Sequence, residues 1–199
     1  MFLVEGREPI LVDAGTGEHS AETLRALAGI TELPKLRTII LTHRHYDHVG
    51  GASQLAAKLG AEVYIHEKDA EVVRNGDGWG TLSTMFGKAM DAVDVIPISE
   101  GRMFSTGDHD LKVIHTPGHS IGSICLYDRE TQELISGDTV FVGGVGRWDL
   151  PTGDLDALVS SIRALQSLDV RSIFPGHGPC AVGNGNEQIA QALNCLGES

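Results

Sequence analysis

The chain has 199 residues, 41% of them hydrophobic, with 27 acidic against 15 basic side chains and a net charge of −12. No apolar run approaches the roughly 20 residues that span a bilayer, so no membrane role is expected. The acid excess argues against a nucleic-acid partner, because such binding relies on Lys and Arg neutralising phosphates and no basic cluster offsets the acids.

In chain order, strands are expected over residues 2–4 and 10–12, a helix over 21–27, a strand over 38–41 and a helix over 52–59. A strand over 62–65 and a helix over 68–74 follow, then strands over 111–114, 123–127 and 133–135. A helix over 155–168, a strand over 170–174 and a helix over 187–196 complete the chain. The 155–168 helix has the clearest pattern. Leu155, Leu158, Val159, Ile162, Leu165 and Leu168 keep helical spacing, and Asp154 precedes them as an N-cap. Strands and helices alternate, which predicts a layered α/β fold, taken as one domain over 1–199. A chain of this length buries about 70% of its unfolded surface, so no structural metal or disulfide is needed to hold a core. Residues 75–91 break the pattern, with Gly76, Gly78, Gly80 and Gly87 around Trp79, Met85 and Phe86. They are expected to form either a flap over a pocket or an ordinary loop whose Trp79 tucks into the core.

Cys125, Cys180 and Cys195 share no close pair, which suits free thiols and a cytoplasmic setting. Cys125 alternates with apolar neighbours and is expected in the core. Residues 1–4 lead directly into strand-like sequence, with no leader expected.

The densest chemistry lies in Thr42-His43-Arg44-His45-Tyr46-Asp47-His48. Burying an imidazole or carboxylate without compensation costs several kcal/mol, and a divalent ion compensates several at once. His43, His45 and Asp47 at i, i+2 and i+4 point one way along extended chain, while His48 leaves that register. The segment therefore belongs where a strand, here 36–41 (LRTIIL), gives way to a helix. Three later positions repeat one pattern, a ligand-type residue beside glycine after a β-rich run: His119 in Thr116-Pro117-Gly118-His119-Ser120, Asp138 in Ser136-Gly137-Asp138-Thr139, and His177 in Phe174-Pro175-Gly176-His177-Gly178. Strand ends in a layered α/β fold meet at one edge, so residues remote in sequence can converge there. His19, His66, His109 and His115 read as surface or structural histidines, with His66 also a candidate to line the pocket.

Through His43-x-His45-x-Asp47-His48, His119, Asp138 and His177, in that order, the chain resembles the metallo-β-lactamase-fold hydrolase superfamily. Leu11-Val12-Asp13-Ala14-Gly15, Gly137-Asp138-Thr139-Val140-Phe141 and Gly146-Arg147-Trp148-Asp149-Leu150-Pro151 make it most similar to the glyoxalase II (hydroxyacylglutathione hydrolase) branch. The resemblance implies a four-layer αββα sandwich of two mixed sheets flanked by helices, with a dinuclear metal site at one edge. It implies that His43, His45 and His119 hold one divalent ion, that Asp47, His48 and His177 hold a second, and that Asp138 bridges them. Zinc is the first expectation, and iron or manganese suit the same donors. The implied reaction is hydrolysis of a small-molecule thioester, a metal-bridging hydroxide attacking the carbonyl while Asp47 and Asp138 orient it. A thiolate leaves readily because its conjugate acid has a pKa near 8.5. Asp13 is expected to support a ligand histidine. Tyr46 and Arg147 are substrate-side candidates, with core packing and a surface salt bridge as their respective alternatives.

Glyoxalase II enzymes add a helical region that grips glutathione, whereas here only residues 178–199 follow His177. A smaller thioester, or a partner chain completing the pocket, is therefore expected, which leaves a homo-oligomer open. The rival readings are a persulfide dioxygenase, binding one iron through His43, His119 and Asp138, a lactonase of the same fold, and a non-catalytic metal protein.

Overall fold

The computed structural model describes residues 1–197. Its contacts divide into two compact units, one of Met1–Ile98 with Ser105–His109, the other of Ser99–Phe104 with the chain from Asp110 onward.

The first unit is built on a five-stranded sheet ordered β1-β2-β3-β4-β5. Its strands are β1 (Phe2–Val4), β2 (Ile10–Val12), β3 (Thr38–Leu41), β4 (Glu62–His66) and β5 (Val95–Ile98). β1 pairs antiparallel with β2, and β2 through β5 run parallel. The helices are α1 (Ser20–Ala28), α2 (Tyr46–Val49), α3 (Ala52–Leu59) and α4 (Glu67–Arg74). Leu11, Ile39, Leu41, Val63, Ile65 and Val95 from the strands form one core with Leu27, Val49, Leu55, Leu59 and Val73 from the helices. Ile10, Val12 and Ile40 alternate with that set and are buried too, as expected of parallel strands whose sequence is a continuous apolar run.

In the second unit the sheet is ordered β13-β12-β9-β8-β7-β6. It comprises β6 (Met103–Ser105), β7 (Asp110–His115), β8 (Ile124–Asp128), β9 (Glu133–Gly137), β12 (Ser172–Pro175) and β13 (Ala181–Val182). A separate hairpin is made of β10 (Val140–Phe141) and β11 (Gly144–Val145). β9 runs parallel to β12 and antiparallel to β8, so this sheet is mixed as well. Helices α5 (Leu155–Leu165) and α6 (Gly185–Cys195) bury Leu158, Ile162, Leu165, Ile189 and Leu193 with Cys125, Tyr127, Leu134 and Ile173. Asp154 caps α5, its carboxylate accepting from the Ala157 N–H at 2.8 Å. The helix ends at Leu165 rather than 168, because Ser167 and Leu168 bond back three residues and tighten the last turn. Two mixed sheets with accompanying helices give the α/β class that the sequence predicts.

Residues 75–91 are internally hydrogen-bonded. Asp77 accepts from the N–H groups of Trp79 and Gly80, and Thr81 and Ser83 are fully buried. Trp79 itself is 65% exposed, so it does not tuck into the core. No helix among the described residues is long and apolar enough to cross a membrane.

Candidate metal centre

Each unit gathers ligand-type side chains where its parallel strands end. In the first, β2, β3 and β4 end on one edge, with Asp13 following β2, the 42–48 segment following β3 and His66 closing β4. The backbone stays extended through His45, the N-cap of α2 with φ −68° and ψ 145°, and then turns helical. That transition places His48 beside His43, their ring centroids 4.1 Å apart, while His43 meets His45 edge-on at 4.7 Å. Ligand atoms of His43 and His45, of His43 and His48, and of Asp47 and His48 each lie within 4.8 Å of one another. The three histidines are almost fully buried, and Asp47 retains partial exposure.

Asp13 organises this half. It adopts a left-handed conformation, φ 63°, which an aspartate tolerates better than most residues. Its carboxylate accepts from the Thr42 N–H at 2.8 Å, from the Thr42 hydroxyl at 3.0 Å and from His48 Nδ1 at 2.9 Å. Burial pushes the Asp13 carboxyl up, but the His48 imidazole, the chain's amino terminus and the Thr42 N–H outweigh it and hold it below the ordinary aspartate value. An ionised carboxylate only accepts, so His48 carries its proton on Nδ1 and its lone pair on Nε2. The same logic passes through Thr42. Its one hydroxyl proton goes to Asp13, so its oxygen accepts from His43 Nδ1 at 3.1 Å and leaves the lone pair of His43 on Nε2.

In the second unit β7, β9 and β12 point the same way, and the segments after them carry His119, Asp138 and His177. Pro175 pairs with Gly137, which sets the Asp138 and His177 segments side by side. Asp138 Oδ2 lies 3.5 Å from both His119 Nε2 and His177 Nε2. His119 Nδ1 donates to the carbonyl oxygen of Arg147 at 2.7 Å, so its Nε2 also bears a lone pair. Two glycines make the packing feasible. A Cβ on Gly146 would lie 1.8 Å from the Asp138 carbonyl oxygen, and one on Gly118, at φ +138°, would lie 2.4 Å from the Leu158 backbone. Beneath these segments Thr116 and Thr139 join hydroxyls at 2.9 Å, tying the His119 loop to the Asp138 turn. Cys125 closes the network, reaching Thr116 and the Ser136 carbonyl oxygen, and burial pushes its thiol up to about 11.

Imidazoles with Nδ1 committed to acceptors and Nε2 bearing the lone pair, together with carboxylates, are the donor set of a borderline divalent ion. The residues present therefore fit the expected metal. The substrate-side candidates lie apart from this pattern. Tyr46 is buried in the first unit's core, with its ring 5.4 Å from that of Phe86. The Arg147 guanidinium forks onto Asp149 at 2.9 Å on the surface, and it is the Arg147 backbone that serves His119. His66 caps α4, its Nδ1 accepting from the Lys68 N–H at 3.3 Å. Thr42, Asp69, Thr116, Thr139 and the Arg147 carbonyl were not singled out by the sequence. A local signal was a threonine beside two of the ligand candidates, Thr42 before His43 and Thr139 after Asp138.

A family model described as the Metallo-beta-lactamase superfamily matches residues 1–177. The chain is 35% identical over 184 residues to a probable metallo-hydrolase of Methanocaldococcus jannaschii, covering 89% of this chain and 86% of that protein. It is also 35% identical over 168 residues to the hydroxyacylglutathione hydrolase GloC of Haemophilus influenzae, covering 81% and 78% respectively. A related protein solved in a di-iron-bound form superimposes with a TM-score of 0.76 at 36% identity, over 94% of this chain and 90% of that one.

Proposed function

This chain belongs to the metallo-beta-lactamase superfamily, and from that premise we propose that it is a dinuclear metal-dependent thioester hydrolase. The family match crosses both units, and residues 1–199 are read as a single domain. His43, His45 and His119 would hold one ion, Asp47, His48 and His177 the other, and Asp138 would join them. The observation that carries this reading is that Nδ1 of His43, His48 and His119 each lies within hydrogen-bond distance of a protein oxygen, which leaves Nε2 of each for an ion. Nitrogen-rich borderline donors favour zinc, and iron suits them too, as in the related di-iron protein.

Two dications bound there would acidify a water and polarise a substrate carbonyl. The chain's own groups do the rest. Asp47 and Asp138 orient the attacking water by accepting its hydrogens, and Asp13 and the Arg147 carbonyl hold the imidazoles against rotation. The leaving thiolate needs no general acid, since its conjugate acid has a pKa near 8.5. Thioesters are favoured over other acyl substrates by the likeness to a hydroxyacylglutathione hydrolase. A one-iron dioxygenase would use His43, His119 and Asp138 and leave Asp47, His48 and His177 without a task, and the named relatives are hydrolases.

The test is a panel of a hydroxyacylglutathione, an acyl-coenzyme A, a homoserine lactone and glutathione persulfide, run on metal-loaded protein. Turnover of a thioester well above the lactone supports the proposal. Sulfite from the persulfide without thioester turnover overturns it.

A further inference from the structure

The ligand segment alternates between two kinds of residue. His43, His45 and Asp47 are ligand-type, while Thr42, Arg44 and Tyr46, each one residue before a ligand, are anchors held by different elements. The Thr42 N–H and hydroxyl go to Asp13 after β2. The Tyr46 N–H donates to the Thr81 carbonyl oxygen at 2.8 Å, and its ring joins the core. Arg44 is held by Asp69 in the first turn of α4. Asp69 Oδ2 accepts the Arg44 backbone N–H at 3.0 Å, Asp69 Oδ1 accepts Arg44 Nε at 2.6 Å, and Arg44 Nη2 donates to the Lys68 carbonyl oxygen at 3.2 Å. Period-two alternation of the extended chain produces this division as far as His45, since consecutive side chains leave on opposite sides, and the turn into α2 places Tyr46 and Asp47.

Arg44 and Asp69 stand out among the anchors. Asp69 is fully buried and Arg44 is 6% exposed. Desolvating both charges makes such a pair a poor source of stability, and apolar residues of similar volume commonly replace one without loss. What the ion pair supplies is geometry. A bidentate carboxylate holding both the backbone and the side chain of one residue fixes its position and its rotation about the chain. The parallel pairing of β3 with β4, Leu41 opposite Ile65, brings the start of α4 to the edge where the segment emerges.

We propose that Arg44 and Asp69 are positioning residues which set the relative placement of His43 and His45 for the metal. This rests on the metal-holding reading given above. It predicts that breaking the clamp loosens metal binding without removing any ligand, by about the 10- to 100-fold typical of groups that orient ligands from behind.

The experiment is cobalt(II) titration of apoprotein, read by its visible ligand-field bands and by competition with a chromophoric chelator. Wild type, Asp69→Asn and a paired Arg44→Met, Asp69→Leu variant are compared, with folding followed by circular dichroism. Wild type is expected to bind, which upholds the underlying reading; failure of wild type to bind would defeat that reading and this proposal with it. Both variants are expected to bind at least 10-fold more weakly with altered bands, the paired variant doing so while fully folded. Wild-type affinity and spectrum in the folded paired variant would overturn the proposal while leaving the metal site standing. Should Asp69→Asn fail to fold, the paired variant decides alone.

Discussion

Asp13→Asn separates the chemistry of the site from its shape. Asparagine matches aspartate in size and tolerates the left-handed backbone at position 13, φ 63°, so the fold has no steric reason to change. One oxygen becomes an amide NH2, however. With the remaining oxygen on the Thr42 N–H, the NH2, a donor, takes the place of the oxygen that lies 2.9 Å from His48 Nδ1. His48 must then accept at Nδ1 and carry its proton on Nε2, the atom assigned to the metal. Rotating the amide only moves the conflict to Thr42. Loss of one hydrogen bond to a charged group is worth about 1.5–3 kcal/mol, so apoprotein stability falls by that order in urea unfolding. The metal should suffer more selectively, weakening roughly 10- to 100-fold, or about 1.4–2.7 kcal/mol, in competition with a chromophoric chelator. An Asp13→Asn protein with wild-type metal affinity and an unchanged urea midpoint would refute the tautomer argument.

Cys125 should resist alkylation in the folded protein while exposed Cys180 and Cys195 react, which mass spectrometry of native and unfolded samples resolves. Its thiol is raised from 9.0 to about 11, so above pH 9 the unfolded state ionises and the native state does not. Stability is therefore intact below pH 9 and falls by about 1.4 kcal/mol per pH unit toward 11, a slope that Cys125→Ala should remove. Gly118→Ala forces a Cβ to within 2.4 Å of the Leu158 backbone at a positive φ, and a loss of the order of 3 kcal/mol is expected in denaturant unfolding. Arg147→Ala removes an exposed side chain but keeps the carbonyl that holds His119, so metal content and melting temperature should match wild type.

Much of this was legible in the sequence because it is local. The apolar runs of β2 and β3 and the helical spacing of α5 encode their own structure, and His119, Asp138 and His177 each sit beside a glycine after a strand. Strands β5, β6, β10, β11 and β13 were not anticipated. β5 carries Pro97, a poor strand residue in isolation, and exists because the ladder of β4 is there to receive it. The two- and three-residue strands have too little pattern of their own to read. Asp69 escaped notice for a similar reason: its link to Arg44 joins residues 25 apart through the pairing of β3 with β4, which no local spacing records. The contribution of Arg147 lies in its carbonyl, and every residue has one. Sequence could flag the side chain and miss the atom that bonds.

In the proposed function, seven side chains hold two ions that act together on a thioester. Its most direct test is metal analysis of protein purified without added metal, wild type beside Asp138→Ala, with thioester hydrolysis measured on the same samples. Close to two ions per wild-type chain are expected, with loss of both an ion and hydrolysis in Asp138→Ala and circular dichroism unchanged. A single tightly bound iron in inactive wild type, or hydrolysis that survives in Asp138→Ala, would contradict it.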